Sequence, residues 1–165
     1  MIPNINKEKG KPFYTERLSI LMYGLLVAID AKSYLEIGVG WGYTALFGIS
    51  AVKSNDTKNY KAWGYDIKNH RLNYAKKLLA EYSLNAELTW KDFMQENWKH
   101  AVDVVFIDAG HKHNQAIIDK LNNFVTSAFI VHDVDKKLNF PYGFNPVYID
   151  RFNCAIAVKN HINLL

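Results

Sequence analysis

The chain has 165 residues, of which 49% are hydrophobic and 22% are charged, so a disordered or collagen-like chain is excluded and a single domain over residues 1–165 is predicted. The formal charge of +4 is spread along the chain, with no run of like charges typical of a nucleic-acid-binding tail. The single cysteine, Cys154, excludes an internal disulfide and a cysteine-based zinc site. Because the sequence shows neither a signal peptide nor an apolar span of about 20 residues, we expect a cytoplasmic protein without a membrane segment.

The hydrophobic pattern predicts helices that alternate with short strands. In chain order it predicts a loose lead-in at 1–12, a helix at 18–29 that begins near Thr15, a strand at 33–37, a helix at 44–52, a strand at 62–65, a helix at 72–82, strands at 86–90 and 102–107, a helix at 116–124, a strand at 128–131 and a closing pair at 147–149 and 155–158. Uniformly apolar strands that alternate with helices are typical of a parallel sheet covered on both faces.

Each of the first five predicted strands ends in a glycine loop or a carboxylate. The first strand, which contains Glu36, is followed by glycines at 38, 40 and 42, and the later strands end near Asp66, Asp92, Asp108 and Asp133. Glycine permits a positive φ and lets the backbone approach a ligand closely. In parallel sheets ligands bind beyond the carboxyl ends of the strands, so this edge is the predicted binding site.

Two of these carboxylates have positions typical of nucleotide binding. Asp66 lies 24 residues after Gly42, about where an acid accepts the two ribose hydroxyls in nucleotide-binding folds. Asp92 is placed to meet an adenine amino group, with Phe93 or Met94 against the ring. The alternative for both is a structural role as a strand-end carboxylate or a helix cap.

At this point the residues resemble a known family. Residues 34–46, which read Tyr-Leu-Glu-Ile-Gly-Val-Gly-Trp-Gly-Tyr-Thr-Ala-Leu, resemble motif I of class I S-adenosylmethionine-dependent methyltransferases. Residues 106–111 and 130–134 resemble the fourth- and fifth-strand motifs of the small-molecule O-methyltransferase branch. The resemblance implies S-adenosyl-L-methionine as cofactor and a hydroxyl of a small molecule as methyl acceptor. We therefore predict an α/β, Rossmann-like three-layer sandwich, with a mostly parallel sheet and an antiparallel C-terminal strand.

The resemblance also implies a role for each cofactor-binding residue. The glycines would pass under the methionine part of the cofactor, and the glutamate before them would stand near its amino group. The acid after the second strand would hold the ribose hydroxyls, the acid after the third strand the adenine edge, and the acid after the fourth strand would lie beside the sulfonium. The implied cofactor-binding set is Glu36, Gly38, Gly40, Gly42, Asp66, Asp92, Phe93 and Asp108.

The catalytic candidates lie at two strand ends that should be neighbours. A hydroxyl nucleophile must lose its proton, either to a base or with the help of a metal that lowers its pKa. The residues that offer these functions are Asp108, His111, His132 and Asp133. The alternative for the two histidines is a structural hydrogen bond in a loop.

Two mechanisms therefore stay open. In metal-dependent relatives, carboxylates at the places of Asp108 and Asp133 hold Mg²⁺, but Val134 stands where catechol-type enzymes carry an asparagine ligand. The other mechanism uses His111 or His132 as the general base, because the pKa of histidine lies near neutrality.

Other functions also stay open. An RNA or DNA methyltransferase is favoured by the positive net charge but by no basic stripe, and a non-catalytic S-adenosylmethionine-binding subunit would carry the same cofactor motifs. A nicotinamide dehydrogenase is disfavoured by the glycine spacing. Residues 139–142 resemble the N-P-P-Y signature of amino-methylating enzymes, but they follow the fifth strand instead of the fourth, so a proline-containing loop is predicted.

The length of the tail bears on the substrate pocket. Only 32 residues follow Asp133, which leaves little chain to cover a substrate. We expect either an open pocket or closure by a second subunit of a homo-oligomer. The N-terminal helix and residues 138–146 are the local candidates for a lid.

Overall fold

The computed structural model describes residues 14–134 and 137–160, so the predicted lead-in at 1–12 lies outside the described residues. The helices are α1 Tyr14–Ala28, α2 Tyr43–Asn55, α3 Asn69–Glu81 and α4 Asn114–Leu121, with 3-10 helices at Phe93–Gln95 and Asp150–Phe152. The strands are β1 Ser33–Ile37, β2 Lys61–Asp66, β3 Glu87–Trp90, β4 Val102–Ile107, β5 Val125–His132, β6 Phe144–Ile149 and β7 Cys154–Lys159. In these two ranges no helix has the length and apolar character needed to cross a membrane.

The strands form one seven-stranded sheet in the order β3-β2-β1-β4-β5-β7-β6. Strands β1 to β5 are parallel, whereas β7 runs antiparallel to both β5 and β6. The predicted α/β fold with a mostly parallel sheet and an antiparallel C-terminal strand is confirmed. The strand order reverses between β1 and β4, and such a switch point opens a crevice at the carboxyl ends of the strands.

Two hydrophobic clusters on opposite faces of the sheet make the three layers. On one face α1, α2 and α3 pack against β1, β4 and β5, with side chains such as Met22, Leu46 and Phe106 fully buried. On the other face α4 packs with Ile117 and Ile118. The connection from β3 to β4 contains a 3-10 helix, and the described part of the connection from β5 to β6 is a loop. Among the described residues, α4 is therefore the single α-helix that covers the second face.

The boundary between α4 and β5 differs from the prediction. The helix ends at Leu121 instead of Phe124, and the strand begins at Val125, three residues before the predicted start. The N–H of Phe124 donates to the carbonyl of Leu121 in a turn, and the Phe124 carbonyl then accepts from Val102 of the neighbouring strand. Apolar residues at 124 and 125 suit a helix face and a buried strand equally well, so the pattern alone places this boundary wrongly.

A glycine in α2 allows that helix to lie close to β1. The Tyr34 side chain is completely buried, and a Cβ at Gly48 would lie 2.5 Å from Cζ of its ring. The Tyr34 hydroxyl donates to Oε2 of Glu36 over 2.7 Å. The contact between the two elements therefore also fixes the tyrosine that binds the buried glutamate.

We expect Gly48→Ala to destabilise the protein, because the new methyl group would overlap the Tyr34 ring in a fully packed layer. Overpacking of this kind costs about 1–3 kcal/mol, which urea denaturation would measure. The control is Gly24→Ala in α1, where an added Cβ meets no atom within 4 Å. That variant should keep or raise stability by up to about 1 kcal/mol, because alanine favours a helix more than glycine does. Equal stability of Gly48→Ala and the wild type would contradict the tight packing.

Candidate functional site

The glycine loop after β1 needs glycine for two physical reasons. Gly38 and Gly42 have φ angles of 91° and 83°, in the left-handed region that disfavours side chains. A Cβ at Gly38 would lie 2.1 Å from the carbonyl oxygen of Asp108, and one at Gly42 would lie 2.7 Å from Cβ of Ala75 on α3. The loop is thus held against the end of β4 on one side and against α3 on the other. Gly40, by contrast, faces open space.

Trp41 at the tip of this loop rests on α3. Its ring meets those of His70 and Tyr74 edge to face at centroid distances of 5.8 and 5.5 Å. The guanidinium of Arg71 lies 5.6 Å from the centre of the same ring, within the range of a cation–π contact. These contacts hold the tip of the loop against α3.

Asp66 at the end of β2 binds the same loop. One carboxylate oxygen accepts the N–H of Gly40 over 2.7 Å, and the other accepts the N–H of Lys68 over 2.6 Å. The side chain is 8% exposed. Because a carboxylate has about four acceptor positions, two remain for a ligand.

A pocket of about 320 Å³ lies at the carboxyl ends of the strands. Five of the eight predicted cofactor-binding residues line it, namely Gly38, Asp66, Asp92, Phe93 and Asp108. The strand-end pattern thus brings most of the predicted set together. The other three, Glu36, Gly40 and Gly42, lie outside the lining.

The pocket also contains residues that sequence reasoning missed. Ile67 is 67% exposed at the rim of the pocket. Its position directly after Asp66 could have indicated this role from the sequence, because it follows the end of a strand. Arg71 of α3 and Ile117 of α4 complete two walls, and their positions depend on how the helices pack.

The structure gives Asp92 and Phe93 structural contacts as well. Asp92 accepts the N–H of Met94 over 2.9 Å and so caps the 3-10 helix, which is the alternative that its sequence left open. The Phe93 side chain is 3% exposed and packs edge to face on Tyr65 at 5.0 Å. Met94 is 38% exposed at the same rim, so it offers more free apolar surface to a ligand than Phe93 does.

Glu36 is buried beneath the glycine loop and is 1% exposed. Burial raises its pKa well above the usual 4.5, and the hydrogen bond from Tyr34 opposes this rise without cancelling it. The negative charges of Asp108 and Asp66 raise the pKa of Glu36 further. The hydrogen bond that the structure describes for its carboxyl comes from Tyr34 on the same strand.

Three of the four predicted catalytic residues form one cluster. Strands β4 and β5 pair in parallel with Ile107 opposite Val131, so the residues that follow them meet at the same edge. Nδ1 of His132 lies 3.2 Å from Oδ1 of Asp108 and 3.8 Å from Oδ1 of Asp133. One ligand atom from each residue lies within 4.8 Å of the others. His111 is exposed in the loop before α4 and does not belong to this cluster.

The charge of His132 is controlled by its neighbours. Its hydrogen bond with Asp108 raises the pKa above the usual 6.5, partial burial opposes this, and the charges of Asp108 and Asp133 add to the rise. Because Asp108 lies at Nδ1, Nε2 is left for a second partner. The imidazole is thus oriented by one carboxylate, and no described residue makes a hydrogen bond to its Nε2.

A family model described as a methyltransferase domain matches residues 35–126. Among solved structures, an O-methyltransferase from Streptomyces achromogenes in complex with S-adenosylmethionine is similar over 75% of this chain and 66% of its own, with 14% identity and a TM-score of 0.60. The chain thus spans just under two thirds of the length of that relative. A search of curated proteins gave no match.

Two other solved structures agree over more of their length. A methyltransferase from Geobacter sulfurreducens is 13% identical with a TM-score of 0.73, over 87% of this chain and 78% of that one. An O-methyltransferase from Bacillus cereus in complex with S-adenosylhomocysteine is 13% identical with a TM-score of 0.65, over 92% of this chain and 93% of that one. At these identities the likeness shows a common fold.

We expect Glu36→Gln to change how stability depends on pH. Because the folded-state pKa of Glu36 is raised above 4.5, the stability from this carboxyl is complete below about pH 4.5 and is lost as the pH rises through the folded-state value. Glutamine keeps the shape and does not ionise. The free energy of unfolding of Glu36→Gln should therefore fall less between about pH 5 and about pH 8 than that of the wild type, as urea denaturation at each pH would show.

The matched control is Glu81→Gln, at the exposed end of α3, which should follow the wild-type pH dependence. An identical pH slope in wild type and Glu36→Gln would contradict the burial effect.

Proposed function

The chain belongs to the family of methyltransferase domains, and from that premise we propose that it transfers a methyl group from S-adenosylmethionine to a hydroxyl of a small molecule. The observation that carries the proposal is the contact between His132 and Asp108 at the edge of a pocket that also contains Asp66. This arrangement joins a candidate base to a nucleoside-binding carboxylate within one crevice. Two proteins of the same fold are O-methyltransferases with this cofactor or its product bound. The Bacillus cereus protein is in complex with S-adenosylhomocysteine, and the Streptomyces achromogenes protein is in complex with S-adenosylmethionine.

The pocket suits the adenosine part of the cofactor. Its volume of about 320 Å³ lies at the lower end of the usual range of small-molecule sites. The free acceptor positions of Asp66 would take the two ribose hydroxyls, and the exposed side chains of Ile67 and Met94 would flank the adenine ring. Asp92, at the same rim, would accept from the adenine amino group.

The methionine part would extend over the glycine loop towards Asp108. Gly38 and Gly40 carry no side chain there, and a Cβ at Gly40 would point into open space. The sulfonium would then lie near the carboxylate of Asp108, where opposite charges attract. A second subunit of a homo-oligomer would cover this open side, and this stays a prediction.

The chemistry assigned to His132 is general base catalysis. The substrate hydroxyl would give its proton to Nε2 as its oxygen forms the new bond to the methyl carbon and the carbon–sulfur bond breaks. The electron pair of that bond stays on sulfur, so the neutral S-adenosylhomocysteine leaves. Asp108 orients the ring through Nδ1 and stabilises the imidazolium that results. Alignment of oxygen, methyl group and sulfur supplies much of the remaining acceleration.

The same cluster also fits a divalent cation. Asp108, His132 and Asp133 present an imidazole nitrogen and carboxylate oxygens within 4.8 Å of one another. A set that includes imidazole suits Mn²⁺, Fe²⁺ or Zn²⁺ better than Mg²⁺, which prefers oxygen ligands. Such an ion, when bound, would lower the pKa of a coordinated substrate hydroxyl.

We expect Asp66→Asn to weaken the binding of S-adenosylhomocysteine by about tenfold or more, because it weakens two charge-assisted hydrogen bonds of about 1.5–3 kcal/mol each. Isothermal titration calorimetry would measure the affinity. The control is Asp56→Asn, since Asp56 also accepts two backbone N–H groups, from Lys58 and Asn59, but lies outside the pocket. Unchanged affinity in Asp66→Asn would contradict the ribose assignment, and a folded wild type without measurable binding would contradict the cofactor.

We expect His132→Asn to abolish methyl transfer while the cofactor still binds. In a screen of hydroxyl, amine and thiol acceptors with S-adenosylmethionine, followed by mass spectrometry, the methylated products should be methyl ethers, and His132→Asn should lower kcat by about a hundredfold or more. In the wild type kcat should fall as the pH drops below the pKa of His132, which lies above 6.5.

The control is His100→Asn, because His100 stacks on Trp63 at 5.5 Å outside the pocket. Activity that survives in His132→Asn would contradict the base assignment. Activity that EDTA removes and Mn²⁺ restores would assign the deprotonation to a bound metal.

A further inference from the structure

Asn114, the first residue of α4, lies between the two segments that carry the catalytic pair. Its side chain is 1% exposed. Nδ2 donates to the carbonyl oxygen of His132 over 3.1 Å and, more weakly, to that of Asp133 over 3.4 Å. One amide thus connects the start of the helix after β4 with the end of β5.

The backbone that Asn114 binds is in an unfavourable conformation. Asp133 has a φ of 54°, in the left-handed region that residues other than glycine rarely adopt. The turn lets the chain leave β5 directly after His132, and the N–H of Val134 then bonds to the carbonyl of Asn153. Hydrogen bonds to the two carbonyls on either side of the Asp133 N–H help to hold this turn.

The other half of the Asn114 amide lies apart from these carbonyls. Its Oδ1 is buried, and no donor within residues 14–134 and 137–160 reaches it. A buried acceptor without a donor is destabilising, and folded proteins pair the great majority of such groups. The hydrogen bonds to the end of β5 are made by the donor half of the amide, Nδ2.

We propose that Asn114 is a positioning residue that holds the end of β5 so that the imidazole of His132 faces Asp108. The inference rests on the proposed function of that pair. Asn114 begins the helix that follows Asp108 by six residues, and its side chain binds the backbone of His132. It therefore joins the two chain segments that carry the partners of the 3.2 Å contact. Without the amide, the turn at Asp133 loses two of its bonds and the ring of His132 is free to rotate away from Asp108.

The test uses two substitutions with opposite chemistry. Asn114→Leu removes the donor at similar size, and Asn114→Asp places an acceptor against two carbonyl oxygens. The readout is the ¹⁵N NMR spectrum of the histidine side chains at a single alkaline pH, with the His132 signals assigned from His132→Asn. In the wild type His132 should show one tautomer, with the proton on Nδ1, because Nδ1 faces a carboxylate. Both variants should show a mixture of the two tautomers.

The matched control is Ile118→Ala, four residues further along α4. Ile118 is also 1% exposed, and its truncation should lower the urea midpoint because it leaves a cavity in the second hydrophobic cluster. That variant should keep the wild-type tautomer. The affinity for S-adenosylhomocysteine should stay within about twofold in all three variants, because neither Asn114 nor Ile118 lines the pocket. With a methyl acceptor from the screen, kcat should fall about tenfold or more in the two Asn114 variants while KM for the cofactor is retained.

Three results would overturn the proposal: a wild-type tautomer in either Asn114 variant that folds, an equal change in Ile118→Ala, or failure of both Asn114 variants to fold, which would make Asn114 a folding residue. The proposed function fails separately. A wild type that binds no S-adenosylhomocysteine contradicts the cofactor assignment, while the His132 spectrum still decides whether Asn114 orients the ring.

Discussion

The close approach of Gly38 to the backbone of Asp108 is the constraint on which the rest of the site depends. Asp108 donates its N–H to the carbonyl of Ile37 over 2.8 Å, so the ends of β1 and β4 stay paired one residue beyond the strands. A Cβ at position 38 would lie 2.1 Å from the Asp108 carbonyl and would push these ends apart. The pairing carries Asp108 to the edge of the pocket, where it also meets His132 from the next strand.

Three carboxyl groups lie at or near the ends of β1, β2 and β4. Burial raises the pKa of Glu36, and the negative charges of Asp108 and Asp66 raise it further. Burial of like charges is costly unless one of them is neutral or a cation lies nearby. S-adenosylmethionine carries a positive sulfonium and a positive ammonium group beside one negative carboxylate. The proposed cofactor would therefore bring net positive charge to the edge where Asp66 and Asp108 line the pocket.

Much of the site could be predicted because one rule places it: the carboxyl ends of parallel strands meet at the same edge. Asp66, Asp108 and His132 follow from that rule once the strands are recognised. Asn114 does not, because an asparagine at the start of a helix reads as an ordinary polar residue until the end of β5 is known to lie beside it. The burial of Glu36 was equally hidden, since it depends on the Tyr34 ring beneath Gly48. The predicted boundary between α4 and β5 was wrong because the apolar Phe124 and Val125 suit a helix and a strand equally well.

On the second face of the sheet, α4 is the single α-helix among the described residues, and its side chains contact several parts of the molecule. Lys120 of α4 donates to the carbonyl of Met94, and Gln115 exchanges two hydrogen bonds with the backbone of Asn139. Asn114 reaches the end of β5 from the same helix. Because α4 has eight residues, its contacts with Met94 at the pocket, with the end of β5 and with the loop after β5 all come from about two helical turns. A substitution that displaces this short helix is therefore expected to disturb all three places at once.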